Sequence, residues 1–491
     1  MELLTNIYFW IVILYFGAVI GVSFLTRKVA SRSVADYLVA GRNLGVLLCS
    51  VVVAAEWLGG MSTIGVSEKA FEKLSFQPIL YNIATSLGMI IIGFTVAKHY
   101  RRNNVHTVSE MLQHLFGVEA KRISAIAFLI AYITLAYIQL QTATSVMSSI
   151  FQLDWFTSVL IGAGVITLYT YIGGMHALAI TSIVHLIVMF LGLGAAMIIG
   201  LVQLGGFSGL QEILTTNAAA AGKTIGNIYN PFGVGLNEAF SLLLGGVLGG
   251  MAAQASIQPI FAARTPEVAK KASILSAFYI APFGIMTAIL GLIAATGKYN
   301  IGADSAGFSA KVAMTNLLVN PEFIHPVLGG LALAGILAAI LSTVGPVNFA
   351  VVTIVTKDIY HGFINPEADE QKIIQIARRM VVLVSIITIP LAYYLKAGVL
   401  DSAYISYAIR AIGAIVIVVG IYFRGWIDLF TVKLAFIGGT LAVFLCMAAD
   451  KFNWFHLDKT YGAVIFAIAA LLFGAVRRTI VKKDAYNNNR D

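Results

Sequence analysis

The stretch AAEWLGGMS, residues 54–62, places one carboxylate and a pair of glycines inside an otherwise apolar run. Val51, Val52 and Val53 lead into it and Ile64 and Val66 follow, so the flanks have the composition of a helix buried in lipid or protein. A charge at that depth is costly, and adjacent glycines weaken the helix that would carry it. Either the helix is broken here for a functional reason, or the glycines allow another helix to approach closely.

Composition decides the solvent. Of 491 residues, 59% are hydrophobic and 11% charged, whereas soluble domains carry roughly 25% charged residues. A water-soluble protein is excluded. Cys49 and Cys446 lie far apart in apolar surroundings, which argues against a disulfide framework or a thiolate metal site. The net charge of +9 is scattered over short loops between apolar runs, the pattern of a membrane topology signal and not of a nucleic-acid surface. The opening MELLTN has no basic start, and no cleavage site follows the first apolar run, so that run reads as a retained helix.

Apolar runs of about 20 residues, long enough to cross the hydrocarbon core, fall at 6–26, 44–67, 75–98, 121–150, 155–171, 177–203, 236–262, 272–297, 326–356, 375–396, 399–423, 428–448 and 460–477. These thirteen spans predict one all-α polytopic transmembrane unit over residues 1–491. The basic clusters around Arg27–Arg42, Lys98–Arg122, Arg264–Lys271, Lys357–Arg379 and Arg477–Lys483 all follow odd-numbered spans. By the positive-inside rule the N-terminus is outside and the C-terminus cytoplasmic, in a plasma or inner membrane. The loop 204–235 holds only Glu212 and Lys223, as an external loop should. HTVSEMLQHLFG (106–117) reads as a short cytoplasmic helix.

A second glycine-interrupted segment, GGVLGG (245–250), lies in the seventh span, five spans after the first. Paired interruptions at matching places in two halves point to an inverted-repeat transporter with its site at the midplane, because an unwound stretch frees carbonyls that a bound cation can satisfy. In the ninth span, Ala339, Ser342 and Thr343 stand at i, i+3 and i+4 and share one helical face. Two hydroxyls and a carbonyl there are hard oxygen ligands suited to an alkali cation. Membrane Ser and Thr also commonly bond back to their own helix.

Several segments, in order, resemble the sodium:solute symporter family, which includes proline permease, sialic-acid and sodium–galactose transporters. ADYLVAGRNLG (35–45) resembles the segment before the first core helix, and AAEWLGG resembles that broken helix in its proline-permease form. TLYTYIGGMHAL (167–178) is similar to the Gly-Gly loop between core helices 4 and 5, QASIQ (254–258) to core helix 6, and LAAILST with KDIY (357–360) to core helix 8. The resemblance implies a leucine-transporter-like fold of two inverted five-helix repeats, 44–203 and 236–423, with the N-terminal helix 6–26 before them and two C-terminal helices within 428–477 after. It implies a Na+ site formed by the carbonyls of Ala55, Leu58 and Ala339 and the hydroxyls of Ser342 and Thr343. Glu56, Trp57, Gly59, Gly60, Gln254, Gln258 and Arg410 are the expected substrate-binding or gating residues.

Departures from the family pattern limit these expectations. Ser182 stands where the family has an Asp in core helix 5, leaving at most an auxiliary hydroxyl, and Gly345 and Pro346 replace serines of multi-sodium members. One Na+ is therefore expected. Ala255 and Pro259 replace the family's Asp and Arg in core helix 6, so no substrate can be borrowed from a relative. Arg410 lies too deep in AYISYAIRAIGAIVIVVGIYF to snorkel and needs an anionic partner: Glu56, as an outer gate, or a carboxylate on the substrate. His176 and His185 read as hydrogen-bonded packing residues.

The sequence thus predicts a sodium-coupled importer of a small polar organic solute, an amino acid or monocarboxylate, that works by alternating access in the lipid bilayer. Proton coupling through Glu56 in the same fold is the alternative. An enzyme is disfavoured by the lack of HExxH, paired acids or Cys/His ligand spacing, and a sensory module by the lack of a signalling domain. Nucleic acid is not an expected partner. The sequence does not fix the oligomeric state, and a monomer suffices for this activity.

Overall fold

In lipid every backbone N–H and C=O must be satisfied within its own segment, and helices do this where open strands do not. The computed structural model, which describes residues 6–30, 42–305, 308–395 and 398–488, is accordingly built from helices. In chain order they are α1 (Ile7–Ala30), α2 (Val46–Trp57), α3 (Val66–Lys73), α4 (Leu80–Phe94), α5 (Ala97–Arg102), α6 (Val108–Phe116), α7 (Val118–Phe151), α8 (Trp155–Gln203) and α9 (Gly206–Ala220). There follow α10 (Leu236–Met251), α11 (Gln254–Phe261), α12 (Pro266–Ala294), α13 (Ala313–Leu318), α14 (Pro326–Thr353), α15 (Glu370–Tyr394), α16 (Val399–Tyr422), α17 (Leu429–Lys451) and α18 (Lys459–Asn488). Residues 35–41 of the ADYLVAGRNLG segment, and the side chains of 172–178 including His176, lie outside the described residues.

Among the described residues, ten helices are long and apolar enough to cross a membrane, or eleven with the bent pair α2 and α3 counted as one crossing. Two shorter apolar helices, Ile7–Val22 and Trp155–Leu168, coincide with the first and fifth predicted spans. The short helix expected at 106–117 is α6, and the loop 204–235 contains α9.

Two expected breaks need correction. The backbone is helical without interruption from Trp155 to Gln203, so the Gly-Gly loop anticipated at 173–174 is not a loop. Glycine in a helix interior costs only about 1 kcal/mol relative to alanine, and long apolar flanks outweigh that. In the second half, the helix runs through GGVLGG and stops just after it, at Ala252 and Ala253 between α10 and α11. Those glycines serve packing: a Cβ on Gly246 would lie 2.5 Å from Ala84 Cβ, and one on Gly249 would lie 2.7 Å from the Tyr407 carbonyl.

The first break occurs where the sequence placed it. α2 ends at Trp57, Leu58 leaves the helical region (φ −85, ψ 34), and the chain resumes as a π-turn (Met61–Gly65) and α3, bent by 56°. α2 sits against α8, α11, α12 and α14, and every side chain from Cys49 to Gly65 is buried. α14 lies between α7, α8 and α1 and is buried from Ala332 to Ile354. His185 on α8 hydrogen-bonds the Tyr15 hydroxyl of α1, a packing role.

Gly249→Ala should lower the thermal midpoint of purified protein by the equivalent of about 1–3 kcal/mol, the usual cost of overpacking. Gly250→Ala, whose Cβ would meet Trp57 at an ordinary 3.6 Å, should leave the midpoint nearly unchanged. Equal effects would contradict the packing role.

Candidate ion and solute site

A helix that stops in the protein interior must find partners for its last carbonyls. At the end of α2 three consecutive carbonyls each accept a hydroxyl. Ser342 Oγ donates to Ala55 O at 2.6 Å, Thr343 Oγ1 to Glu56 O at 2.6 Å, and Ser62 Oγ to Trp57 O at 2.8 Å. Two of those hydroxyls belong to α14, so the broken helix is clamped to α14 by adjacent side chains of one turn. Ser342 Oγ also lies 2.9 Å from Ala339 O.

The glycines bring the two helices together. A Cβ on Gly59 would fall 2.1 Å from Thr343 Oγ1, and one on Gly60 would fall 2.3 Å from Thr142 Oγ1. Only residues without a side chain fit between α14 on one side and α7 on the other. The freed Gly60 N–H donates to Gln139 Oε1 of α7 at 3.2 Å. On the same face of α7, seven residues earlier, the Tyr132 hydroxyl accepts from Ala255 N at 3.1 Å, in the first turn after the second break. One helix therefore caps both interruptions. Tyr132 and Gln139 were missed in the sequence; their polarity and shared face within the fourth span were the signal.

Of the five oxygens implied for the ion, Ala55 O, Ala339 O and Ser342 Oγ come together. Thr343 Oγ1 adjoins them but bonds the Glu56 carbonyl, and the Leu58 carbonyl takes part in none of these hydroxyl bonds. The donors are neutral oxygens; no group of three or more His, Cys, Asp or Glu suited to a metal occurs among the described residues. Unwound carbonyls with hydroxyls are the donor set that alkali cations use at helix breaks.

Glu56 is buried, and its carboxylate accepts a hydrogen bond from Ser256 Oγ of α11. Through its carbonyl and side chain this one residue joins α2 to α14 and to the second broken segment. The outer-gate ion pair between Glu56 and Arg410 is not formed: no contact within 4.0 Å joins them. Arg410 instead lies over the Tyr407 ring at 4.2 Å and donates to the Tyr132 hydroxyl at 3.4 Å, because cation–π attraction and one hydrogen bond accommodate the guanidinium on its aromatic side. The Nε and Nη2 of Arg410, Trp57 Nε1 and Gln139 Nε2 are buried donors without a hydrogen-bond partner among the described residues. Trp57 shares Tyr407 with Arg410, at 6.1 Å between ring centroids.

The Gln254 side chain is engaged by another helix. Its amide accepts from Val108 N at 2.7 Å and donates to His106 O at 2.9 Å, tying α11 to the start of α6. Gln258 is buried in α11 and Ser182 in α8, two helices that pack against α2.

A model of the sodium:solute symporter family matches residues 37–441. The chain is 24% identical over 471 residues to the sodium/proline symporter of Escherichia coli, covering 92% of this chain and 89% of that protein. It is 24% identical over 413 residues to the high-affinity choline transporter 1 of Caenorhabditis elegans, covering 80% and 68%. Among solved structures it is similar to a substrate-bound, outward-open Na+-coupled sialic acid symporter, with a TM-score of 0.78 at 17% identity over 96% of this chain and 98% of that one. A nucleobase-cation-symport-1 transporter shares the fold more distantly, with a TM-score of 0.55 at 11% identity over 91% and 95%.

Gly59→Ala should push Thr343 off α2 and cost about 1–3 kcal/mol, read as a lower thermal midpoint. In the double variant Gly59→Ala/Thr343→Ala the losses should fall short of additive, because the colliding atoms are gone. Additive losses would mean that the two residues do not meet.

Proposed function

The chain belongs to the sodium:solute symporter family, whose coupling ion is Na+, and on that premise we propose that it imports a small carboxylate-bearing solute with one Na+ per cycle. It is a multi-pass membrane transporter and not an enzyme. The proposed topology keeps the thirteen apolar runs as spans, the fifth and sixth joined through helical backbone at 173–174, with inverted repeats at 44–203 and 236–423, the N-terminus outside and the C-terminus in the cytoplasm. The odd-span bias of the basic residues supports that orientation.

The proposed ion site uses the carbonyls of Ala55, Leu58 and Ala339 and the hydroxyls of Ser342 and Thr343. The observation that carries it is the pair of 2.6 Å bonds from neighbouring α14 hydroxyls to neighbouring α2 carbonyls. Each hydroxyl can turn its lone pairs to a cation, and Ser342 can leave the Ala55 carbonyl to bind the same ion. Sodium then strengthens an α2–α14 contact that weakens when it leaves, and a solute that binds the tightened form gains affinity by the same amount. Alternating access follows when the ion-loaded and ion-free arrangements open to opposite sides.

For the solute, the unpaired donors decide the chemistry. Arg410 and Trp57 both lie against the Tyr407 ring, and they and Gln139 hold buried N–H groups without a hydrogen-bond partner among the described residues. Leaving a buried donor unsatisfied costs about 1–3 kcal/mol, and a carboxylate supplies the acceptors with a charge opposite to that of Arg410. Glu56 is occupied by Ser256 and acts as a bridge between the broken segments, which supports sodium coupling over proton transport through this residue.

In proteoliposomes, an inward sodium gradient should drive uptake, and a pH gradient without sodium should not. Ser342→Ala and Thr343→Ala should each raise the sodium concentration for half-maximal uptake about tenfold, the loss of roughly 1.4 kcal/mol of ligation. Unchanged sodium activation in both would remove this site. In a thermal-shift screen with sodium, amino acids and monocarboxylates should stabilise the protein where neutral sugars and amines do not, and Arg410→Gln should abolish that shift. Stabilisation by uncharged solutes alone would contradict the carboxylate.

A further inference from the structure

α6 is held from two sides at the membrane end that carries it. On one side stands Gln254, the first residue of α11, whose carboxamide takes both the Val108 N–H and the His106 carbonyl. On the other stands Asp358, which is fully buried in the π-helical continuation of α14 (Ile354–Ile364). Asp358 Oδ1 accepts from Thr107 Oγ1 at 2.9 Å and lies 3.4 Å from Lys121 Nζ of α7. Thr107 is also the N-cap of α6, accepting from Glu110 N at 2.9 Å, and the Glu110 carboxylate accepts from His106 N at 2.7 Å. The cap that starts this helix is thus fastened to α14, and the residue next to it is fastened to α11.

α2 and α11 are joined at the same end as one unit. Leu44 N donates to Ala262 O at 3.0 Å and Arg264 N to Leu44 O at 2.9 Å, while Cys49 Sγ donates to Pro259 O at 3.2 Å. α7 and α14 form the opposing unit, linked through Lys121 and Asp358. Gln254 ties the first unit, through α6, to the second. Asp358 also lies on the helix that carries Ser342 and Thr343, so the ion contact and the α6 contact are two points on one element.

We propose that α6 is the inner latch of this transporter, with Gln254 and Asp358 as positioning residues that hold the cytoplasmic end shut. The assignment rests on the symporter reading above. Inward release requires the two Gln254 bonds to break, so that α2 and α11 can separate from α7 and α14. A glutamine suits this task because it supplies one donor and one acceptor without the desolvation cost of burying a charge each time the end closes. Asp358 keeps α6 with α14 when Gln254 lets go.

The test places a reporter thiol between the units. Ala350 is fully buried on α14, seven residues beyond Thr343 and so on the stripe that faces α2. In a Cys49→Ala/Cys446→Ala background, Ala350→Cys is alkylated with a small water-soluble maleimide in sodium and in potassium. The parent should label slowly in sodium and faster in potassium. Gln254→Ala should raise the rate in sodium about tenfold, close to the parent's potassium rate, with little change in potassium. Asp358→Asn should act in the same direction, and Thr107→Val replaces it if that variant does not fold. A general loosening would raise both rates equally, and that result, or an unchanged rate in sodium for Gln254→Ala, would overturn the latch. A parent rate indifferent to sodium, with Gln254→Ala still faster, would contradict the sodium coupling while supporting the latch.

Discussion

Two neighbouring hydroxyls of α14 reach two neighbouring carbonyls of α2, and the interior is arranged to allow it. The helix must stop so that Ala55 and Glu56 have carbonyls to offer. Thr343 must approach the backbone so closely that position 59 can carry no side chain. α7 must then supply Gln139 to meet the Gly60 N–H, because no water-facing route is open to it in a buried segment. Each requirement follows from the preceding one, and each falls on a residue whose replacement has a defined cost.

The acid in AAEWLGGMS takes its place in this chain of constraints. Glu56 lies between the two carbonyls implied for the ion, yet its side chain turns to Ser256 on the second broken segment. It links the two interruptions across the core, as Tyr132 and Gln139 do from α7. A change at one break is therefore felt at the other through side-chain contacts, without long-range strain. Coupling between ion and solute needs such a connection, since a ligand shifts an equilibrium only as far as its differential contacts allow.

Composition and run length made the membrane class and most helices legible, because the hydrocarbon core demands about 20 apolar residues from any crossing helix. The first break was legible from Glu56, Gly59 and Gly60 together. The second was misplaced by a few residues, since glycine is equally at home in a break and in a tight helix crossing; only the Tyr404 and Tyr407 neighbours of Gly245 and Gly249 tell the two apart. The Ser342–Thr343 face was readable from helical spacing, but its partners were not: that Thr343 takes Glu56 and not Leu58 depends on a backbone bend. Gln254 was expected to bind substrate or to gate, from the resemblance of QASIQ to the family's core helix 6. Its engagement with α6 joins residues 254 and 106–108, a pairing that no local pattern encodes.

The central claim is that sodium binds where α2 breaks against α14 and tightens that contact. Hydrogen–deuterium exchange of the purified protein, compared in sodium and in potassium at equal ionic strength, addresses it directly. Sodium should slow exchange in peptides covering 54–65 and 338–345 together, with the protection lost in Ser342→Ala. Protection confined to other helices, or none in either peptide while sodium-driven uptake persists, would contradict the account.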